Sequence, residues 1–152
     1  MSTIHLSQST TLTPEQYIAG LTDFGPGRSK VFSNSDDDYL NVHDVRATEA
    51  DVTEGSGGTW ERLHYDWSNP NQVVLKTTDS NVCSGQSGYT YTFKRSPDGA
   101  TVVDVVIVRQ GKNAKGRMLG LVLGSVGKGV LKKSFVNSVK AIEARNNGQP
   151  AR

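Results

Sequence analysis

The sequence SGYTYTFKRSPDGATVVDVVIVR, residues 87–109, decides the fold because apolar and polar side chains alternate on both sides of a turn. A period of two residues is typical of strands with one buried face, so we predict strands at about 87–95 and 100–110. Proline and glycine at 96–99 favour a tight turn between them. Strands joined so closely must pair antiparallel, and the remaining chain extends this hairpin.

The same alternation indicates which side chains of the hairpin face a core. Tyr89, Tyr91 and Phe93 share one face of the first strand. In the second strand Asp104 marks the outer face, which turns inward Val103, Val105, Ile107 and Arg109. A buried tyrosine hydroxyl needs a partner, which a ligand or water supplies.

Upstream residues continue the meander. Strand periodicity recurs at about 39–46, 48–54, 59–67 and 72–78, with glycine-rich and Asn-Pro turns between most of them. Ile4 and Leu6 alternate with polar neighbours and predict a first strand. Thr13, Pro14 and Gln16 then form a helix start with a capping box, and a second short helical piece runs through Lys30 to Phe32.

The C-terminal third of the chain has a helical period from after Asn113 to about Arg145. One face of this helix carries a glycine stripe, formed by Gly116, Gly120, Gly124 and Gly127. Each interior glycine costs about 0.5–1 kcal/mol relative to alanine, so the stripe needs a packing reason. Either the helix backbone packs tightly on the sheet or the missing side chains leave room for a ligand, and both readings stay open.

The order of elements predicts an α+β fold. A curved antiparallel sheet of about seven strands wraps around the long C-terminal helix, with two short helices after the first strand. Residues 1–145 form one domain, since this length buries a sufficient core, and residues 146–152 form a flexible tail. We expect an apolar cavity between sheet and helix.

Composition excludes several classes of partner. The 152 residues include 17 Lys+Arg and 15 Asp+Glu, a formal net charge of +2 that does not favour nucleic acid or an anionic membrane. The most apolar stretch, residues 118–126, is far shorter than the roughly 20 residues of a spanning helix, so we expect no membrane insertion. Cys83 is the single cysteine and no secretion signal begins the chain, which favours a cytoplasmic protein.

The sequence contains no complete motif for a metal or a cofactor. The run Asp36–Asp38 lacks spaced ligands and indicates a solvated turn. Cys83 has no cysteine or histidine at ligand spacing, and no phosphate-binding glycine loop or hydrolase serine elbow occurs. We therefore predict no metal and no cofactor.

The strand around residues 60–67 permits two interpretations. Leu63, Tyr65 and Trp67 share one face, and the other face carries Trp60, Arg62, His64 and Asp66. Charged residues are rarely buried unpaired, which favours placing the charged face in solvent. The alternative places Arg62, His64 and Asp66 in the cavity, where His64 and Asp66 would act as a general base and its orienting carboxylate.

The segments WERLHYDWSNP at 60–70, TDSN at 78–81 and DGAT at 98–101, followed by the terminal helix, resemble the SRPBCC or START-like superfamily. More narrowly, the chain resembles the polyketide cyclase/dehydrase-type group of bacterial proteins. The resemblance covers about residues 2–145 and implies a helix-grip fold. It implies lipid, sterol or polyketide binding or an aromatase/cyclase activity, but it transfers no catalytic residue.

Two functions follow as hypotheses. The first is binding or carriage of a small hydrophobic, lipid-like or polyketide-like molecule, contacted by Leu63, Tyr65, Trp67, Leu75, Tyr89, Tyr91, Val103, Val105, Ile107, Gly120, Leu123, Gly124, Gly127 and Leu131. The second is a cyclase, aromatase or dehydratase that uses acid/base groups such as His64, Tyr65, Tyr89 or Arg109. We expect a monomer or a weak homodimer, the latter formed through an outer strip of Val102, Val106 and Val108.

Overall fold

The computed structural model describes residues 1–118 and 127–148 of the chain. Its framework is one seven-stranded antiparallel sheet with the strand order β1-β7-β6-β5-β4-β3-β2. The strands are β1 (Ser2–Thr10), β2 (Asn41–Val45), β3 (Glu49–Ser56), β4 (Thr59–Asp66), β5 (Gln72–Ser80), β6 (Gly88–Arg95) and β7 (Thr101–Arg109). The predicted meander is confirmed, because β2 to β7 pair in chain order and β1 adds beside β7.

The β6–β7 hairpin has the predicted register. Tyr89 lies opposite Ile107, Tyr91 opposite Val105, and Phe93 opposite Val103. Tyr91, Phe93 and the inward valines of β7 are buried, whereas Asp104 lies on the outer face as the alternation requires. The inner face of this hairpin therefore forms the centre of the core.

Two short helical elements follow β1, as predicted. Helix α1 (Pro14–Leu21) begins with Thr13, whose hydroxyl accepts from the Gln16 backbone N–H while the Gln16 side chain accepts from the Thr13 N–H. This reciprocal pair satisfies two donors that the first turn would otherwise leave unpaired. A single 3-10 turn spans Arg28–Lys30.

The C-terminal helix α2 (Gly127–Asn146) covers the concave face of the sheet. Phe135, Val139 and Ile142 are buried in the core. Helix α2 also approaches α1 closely, because a Cβ on Gly20 would lie 2.9 Å from the Ile142 side chain. The sheet with its long C-terminal helix and short helices forms a helix-grip α+β fold, which confirms the predicted fold class.

The glycine stripe can be followed only in part. Residues 114–118 are helical, and a Cβ on Gly116 would lie 1.9 Å from the carbonyl oxygen of Val82. At this position the missing side chain thus serves close backbone packing. Gly127 is buried at the start of α2, while Gly120, Leu123 and Gly124 lie outside the described residues.

Two further expectations concern the outer face of β7 and membrane insertion. Val102, Val106 and Val108 on the outer face of β7 are half-buried by the neighbouring strands. No helix in the described part of the chain is long and apolar enough to cross a membrane.

Candidate functional site

A cavity of about 310 Å³ lies between the concave face of the sheet, the 3-10 turn and the C-terminal helical region. Its apolar and aromatic walls consist of Leu21, Phe32, Trp60, Leu63, Tyr65, Leu75, Val82, Tyr89, Tyr91 and Leu131. Charged side chains also reach the wall, namely Arg28, Glu54, Glu61 and Arg109. The site is therefore a mainly apolar space with two charged places on its surface.

The structure distributes the predicted ligand-binding residues between this wall and the core. Six of them line the cavity: Leu63, Tyr65, Leu75, Tyr89, Tyr91 and Leu131. Val103, Val105, Ile107 and Gly127 are buried and Trp67 is partly buried, but these five are not part of the cavity wall. The alternation of β7 is right, yet its valines pack inside the core and only Arg109 of this strand reaches the cavity.

The first charged place is the Arg28 cluster, which consists of Arg28, Glu54, Tyr65 and Ser35. The guanidinium donates from Nε to Glu54 Oε1 at 2.6 Å, from Nη2 to the Tyr65 hydroxyl at 3.1 Å, and from Nη1 to the Asp23 carbonyl at 2.7 Å. Ser35 and the Tyr65 hydroxyl in turn donate to the carboxylate of Glu54. Every nitrogen of this guanidinium therefore has a partner.

The charged groups of the Arg28 cluster are buried and therefore interact strongly with one another. The side chains of Arg28 and Glu54 are only 2% and 9% exposed, and the rings of Phe24 and Phe32 lie 4.8 Å and 4.6 Å from the guanidinium carbon. Burial alone would lower the pKa of Arg28, but its interactions with Tyr65 and Glu54 raise that pKa above the ordinary value. Arg28 therefore stays a cation, and its hydrogen bonds are complete.

The second charged place is the Arg109 cluster, which consists of Arg109, Glu61, Tyr89 and Thr77. Arg109 Nη1 donates to Glu61 Oε2 at 3.0 Å, and Thr77 donates to the same oxygen at 2.8 Å. The Tyr89 hydroxyl lies 3.4 Å from Glu61 Oε1, and the guanidinium carbon lies 4.5 Å from the centre of the Tyr89 ring. Cys83 Sγ is a further, weak neighbour of Nη1 at 3.7 Å.

This second guanidinium is not fully paired. Arg109 Nε and Nη2 are buried and have no hydrogen-bond partner among the described residues. Burial opposes the charge, but the interactions with Tyr89 and Glu61 raise the pKa of Arg109 above its ordinary value, so the side chain is a cation. Arg109, a residue of the cavity wall, therefore keeps two buried donors that no described residue uses.

The tyrosines of the cavity are protonated at neutral pH. Burial is the largest cause that raises the pKa values of Tyr65, Tyr89 and Tyr91 above the ordinary value of a phenol. The charges of Arg28, Glu54 and Arg109 all act on Tyr91, so this residue lies within electrostatic reach of both clusters. These hydroxyls can donate hydrogen bonds or protons, but they are poor bases.

His64 lies outside the cavity. Its ring nitrogens are 3.2 Å from Asp51 and 3.1 Å from Glu49, both on β3, and its side chain is 30% exposed. Asp66 accepts from the backbone N–H and hydroxyl of Ser68 instead, which lowers the pKa of its carboxyl group. The structure agrees with the outer-face interpretation for Arg62, His64 and Asp66, which are not an acid/base set in this cavity. The predicted face of Trp60 is wrong, because Trp60 lies beyond the register shift between Arg62 and Leu63 and lines the cavity.

Three charged residues of the site were missed by the sequence reasoning: Arg28, Glu54 and Glu61. Alternation carries a signal for two of them, because Glu54 shares a face with Ala50 and Val52, and Glu61 shares one with Leu63. Charged residues are rarely buried, so the alternation alone does not predict that these two glutamates face inward. Arg28 follows a Gly-Pro-Gly turn, where no periodicity indicates its direction.

The described residues contain no group of three or more histidine, cysteine, aspartate or glutamate side chains that could hold a metal ion. The Asp36–Asp38 run accordingly has no ligand set within the part of the chain that the structure describes. The chemistry of this site lies in the two charged clusters and the aromatic wall.

The chain has the fold of START superfamily proteins. A START superfamily protein from Mycobacterium smegmatis superposes with a TM-score of 0.68 at 10% identity over 92% of this chain and 98% of its own. A Thermus thermophilus protein gives 0.67 at 11% identity over 94% and 95%, and an aromatase/cyclase from Streptomyces gives 0.61 at 11% identity over 94% of both chains. At such low identity the likeness defines the fold and leaves function open.

Sequence comparison gives no closer assignment. The chain matches no protein-family model and no curated protein. The resemblance to the START-like superfamily in the sequence is thus confirmed at the level of fold.

Proposed function

We propose that this protein binds or carries a small hydrophobic, lipid-like or polyketide-like molecule in the cavity between the sheet and the C-terminal helical region. The cavity itself carries the proposal. Its volume of about 310 Å³ is at the lower end of the range of roughly 300–1,000 Å³ for small-molecule sites. Its walls are aromatic and aliphatic, with a few polar groups that would fix the orientation of a ligand.

The electrostatics of the cavity supports an apolar occupant. Each arginine is paired with a glutamate, so the four charged side chains sum to zero. An apolar molecule therefore displaces no counter-ion, and its burial gains about 25 cal/mol per Å² of apolar surface removed from water. The ligand-binding folds of the START-like proteins give the same expectation by analogy.

A cavity-filling substitution tests this proposal. Leu131 on α2 lines the cavity, whereas Val130 beside it is 69% exposed. We expect Leu131→Trp to weaken binding of the neutral naphthalene dye prodan by at least about tenfold, which corresponds to 1.4 kcal/mol. Val130→Trp is the matched control, because it adds the same side chain on the outer side of the same helix, and it should leave dye fluorescence unchanged.

Equal dye binding by the two variants would contradict the proposal, since it would place the dye outside the cavity. Native mass spectrometry of the purified protein is the independent measurement. It should find a retained hydrophobic molecule in the parent protein and a reduced amount of it in Leu131→Trp. Absence of both a retained molecule and a dye response would leave the cavity as a packing defect of the core.

A cyclase, aromatase or dehydratase is the second candidate function. It is favoured by the contact of Glu61, Tyr89 and Arg109 on the cavity wall, where a protonated phenol and a cation could polarise a carbonyl group. An enzyme should convert the molecule identified by native mass spectrometry into a product that has lost one water. Tyr89→Phe should then abolish conversion and keep binding, whereas a carrier shows no conversion with either protein.

A further inference from the structure

Arg109 carries the feature of the cavity that the fold does not explain. Its side chain is 11% exposed, it lines the cavity, and its Nε and Nη2 atoms have no partner among the described residues. Leaving a buried donor unpaired costs about 1–3 kcal/mol, and more for a charged group. A ligand acceptor that reached these two donors from the cavity would recover this free energy.

The chemistry of the guanidinium group narrows the kind of acceptor. The Nε–H and one Nη2–H bond lie side by side on one edge of the plane and point in the same direction. A carboxylate has two oxygens at the matching spacing and accepts both hydrogen bonds in a bidentate pair. Because Glu61 occupies Nη1, this edge stays free for a second carboxylate.

The surroundings of Arg109 hold this edge in place. The guanidinium lies against the Tyr89 ring, and Glu61 is fixed by the hydroxyls of Thr77 and Tyr89. These contacts orient the plane before any ligand arrives, which reduces the entropy lost on binding. Apart from the Arg28 cluster and a few small polar residues, the remaining wall is aliphatic and aromatic, as the body of an organic acid requires.

We infer that the free Nε–Nη2 edge of Arg109 binds the carboxylate of an otherwise apolar organic acid, an inference that rests on the proposed cavity-binding function. The ligand is then amphipathic, with its acid group at the Arg109 cluster and its apolar body along Leu75, Tyr91 and Leu131. The Arg28 cluster offers no such place, since all three of its guanidinium nitrogens are already paired.

Isothermal titration calorimetry with three probes of equal ring size tests the inference: naphthoic acid as its anion, the neutral naphthamide, and naphthalene. We expect the parent protein to bind the acid at least about tenfold more tightly than the amide. Arg109→Lys keeps a positive charge beside Glu61 but lacks the paired donors, so it should lose most of this preference. The double variant Glu61→Gln with Arg109→Gln removes both charges together and should abolish the preference while it still binds the amide.

Arg62→Gln is the control, because Arg62 is exposed on the outer face of β4 and its loss lowers the net charge by one without changing the cavity. It should leave all three affinities unchanged. An equal decrease of the acid preference in Arg62→Gln would show general attraction by surface charge and overturn the inference.

The remaining outcomes separate the inference from the proposed function. If acid and amide bind the parent protein equally, the carboxylate site is wrong and the cavity-binding function stands. Retention of the acid preference in the double variant would also overturn the inference, since another cation would then hold the acid. If none of the three probes binds, both the carboxylate site and the cavity-binding function are wrong.

Discussion

Two arginines line the cavity, and each is paired with a glutamate and a tyrosine. In the Arg28 cluster the guanidinium, the carboxylate and the phenol bond to one another, and Ser35 and a backbone carbonyl complete the set. In the Arg109 cluster only Nη1 of the guanidinium reaches the carboxylate, and the phenol lies at the longer distance of 3.4 Å. The same residue types thus form two different networks. The Arg28 network is closed, because every guanidinium nitrogen has a partner, and the Arg109 network is open, because two nitrogens have none among the described residues.

This difference separates a structural role from a binding role. A closed network in a buried place ties the 3-10 turn to β3 and β4 and offers little to a ligand. An open network at the end of β7 leaves donors unused and depends less on its own internal bonds. The stability of the fold should therefore be more sensitive to the Arg28 cluster, and ligand affinity more sensitive to the Arg109 cluster.

The largest effect is expected from Arg28→Met. This substitution leaves Glu54 as a buried carboxylate without its cation, so the free energy of unfolding should fall by about 3–5 kcal/mol. Urea denaturation followed by circular dichroism measures the loss. Adding Glu54→Gln to this variant should recover part of the stability, because it removes the buried charge and its amide oxygen still accepts one of the two bonds from Ser35 and Tyr65. A loss below about 1 kcal/mol for Arg28→Met would show that the closed network does not hold the fold.

Arg109→Met should cost less, about 1–3 kcal/mol in the same measurement. Two of the three guanidinium nitrogens make no hydrogen bond to the described residues, and Glu61 keeps its bond to Thr77 with 15% of its side chain exposed. The comparison of the two clusters fails if this variant is as unstable as Arg28→Met.

The fold could be predicted from the sequence because its strands have one buried face. The predicted bounds of β2 to β7 agree with the structure within two residues at each end, and the capping box of α1 was predicted from Thr13 and Gln16. Local chemistry determines both features: alternation determines which face is buried, and the cap satisfies the first turn. The sheet, the short helices and the long C-terminal helix then follow in the order that a helix-grip fold requires.

Residues of the site could be predicted only where they lie on strands whose apolar and polar side chains alternate. Tyr65, Tyr89 and Arg109 were placed on inward faces correctly, but the partners of Arg109 and the presence of Arg28 depend on tertiary contacts between residues up to 48 positions apart. A single sequence gives no sign of such pairing. The inward valines of β7 also show that an inward face and a cavity wall are different properties, because most of that strand packs inside the core.

A smaller effect distinguishes the two tyrosines. Tyr65→Phe removes a hydroxyl that accepts from Arg28 and donates to Glu54, so unfolding should become easier by about 1–2 kcal/mol. Tyr89→Phe removes only a long contact to Glu61 and keeps the ring against Arg109, so its cost should stay below about 0.5 kcal/mol. Thermal denaturation of both variants checks the order, and equal losses would contradict it.

The last effect is one that the two clusters share. Burial raises the pKa values of Tyr65 and Tyr89 in the folded state, whereas a phenol in the unfolded chain has a pKa of about 10. Above that pH the unfolded chain releases protons that the folded protein keeps, so the free energy of unfolding falls as the pH rises. By this linkage each buried tyrosine contributes a loss of about 1 kcal/mol between pH 10 and pH 11. Tyr65→Phe and Tyr89→Phe should therefore each lose about 1 kcal/mol less than the parent protein over this interval when measured by urea denaturation. A variant whose alkaline loss equals that of the parent would show that its tyrosine ionises in the folded state, and that the corresponding cluster is open to water.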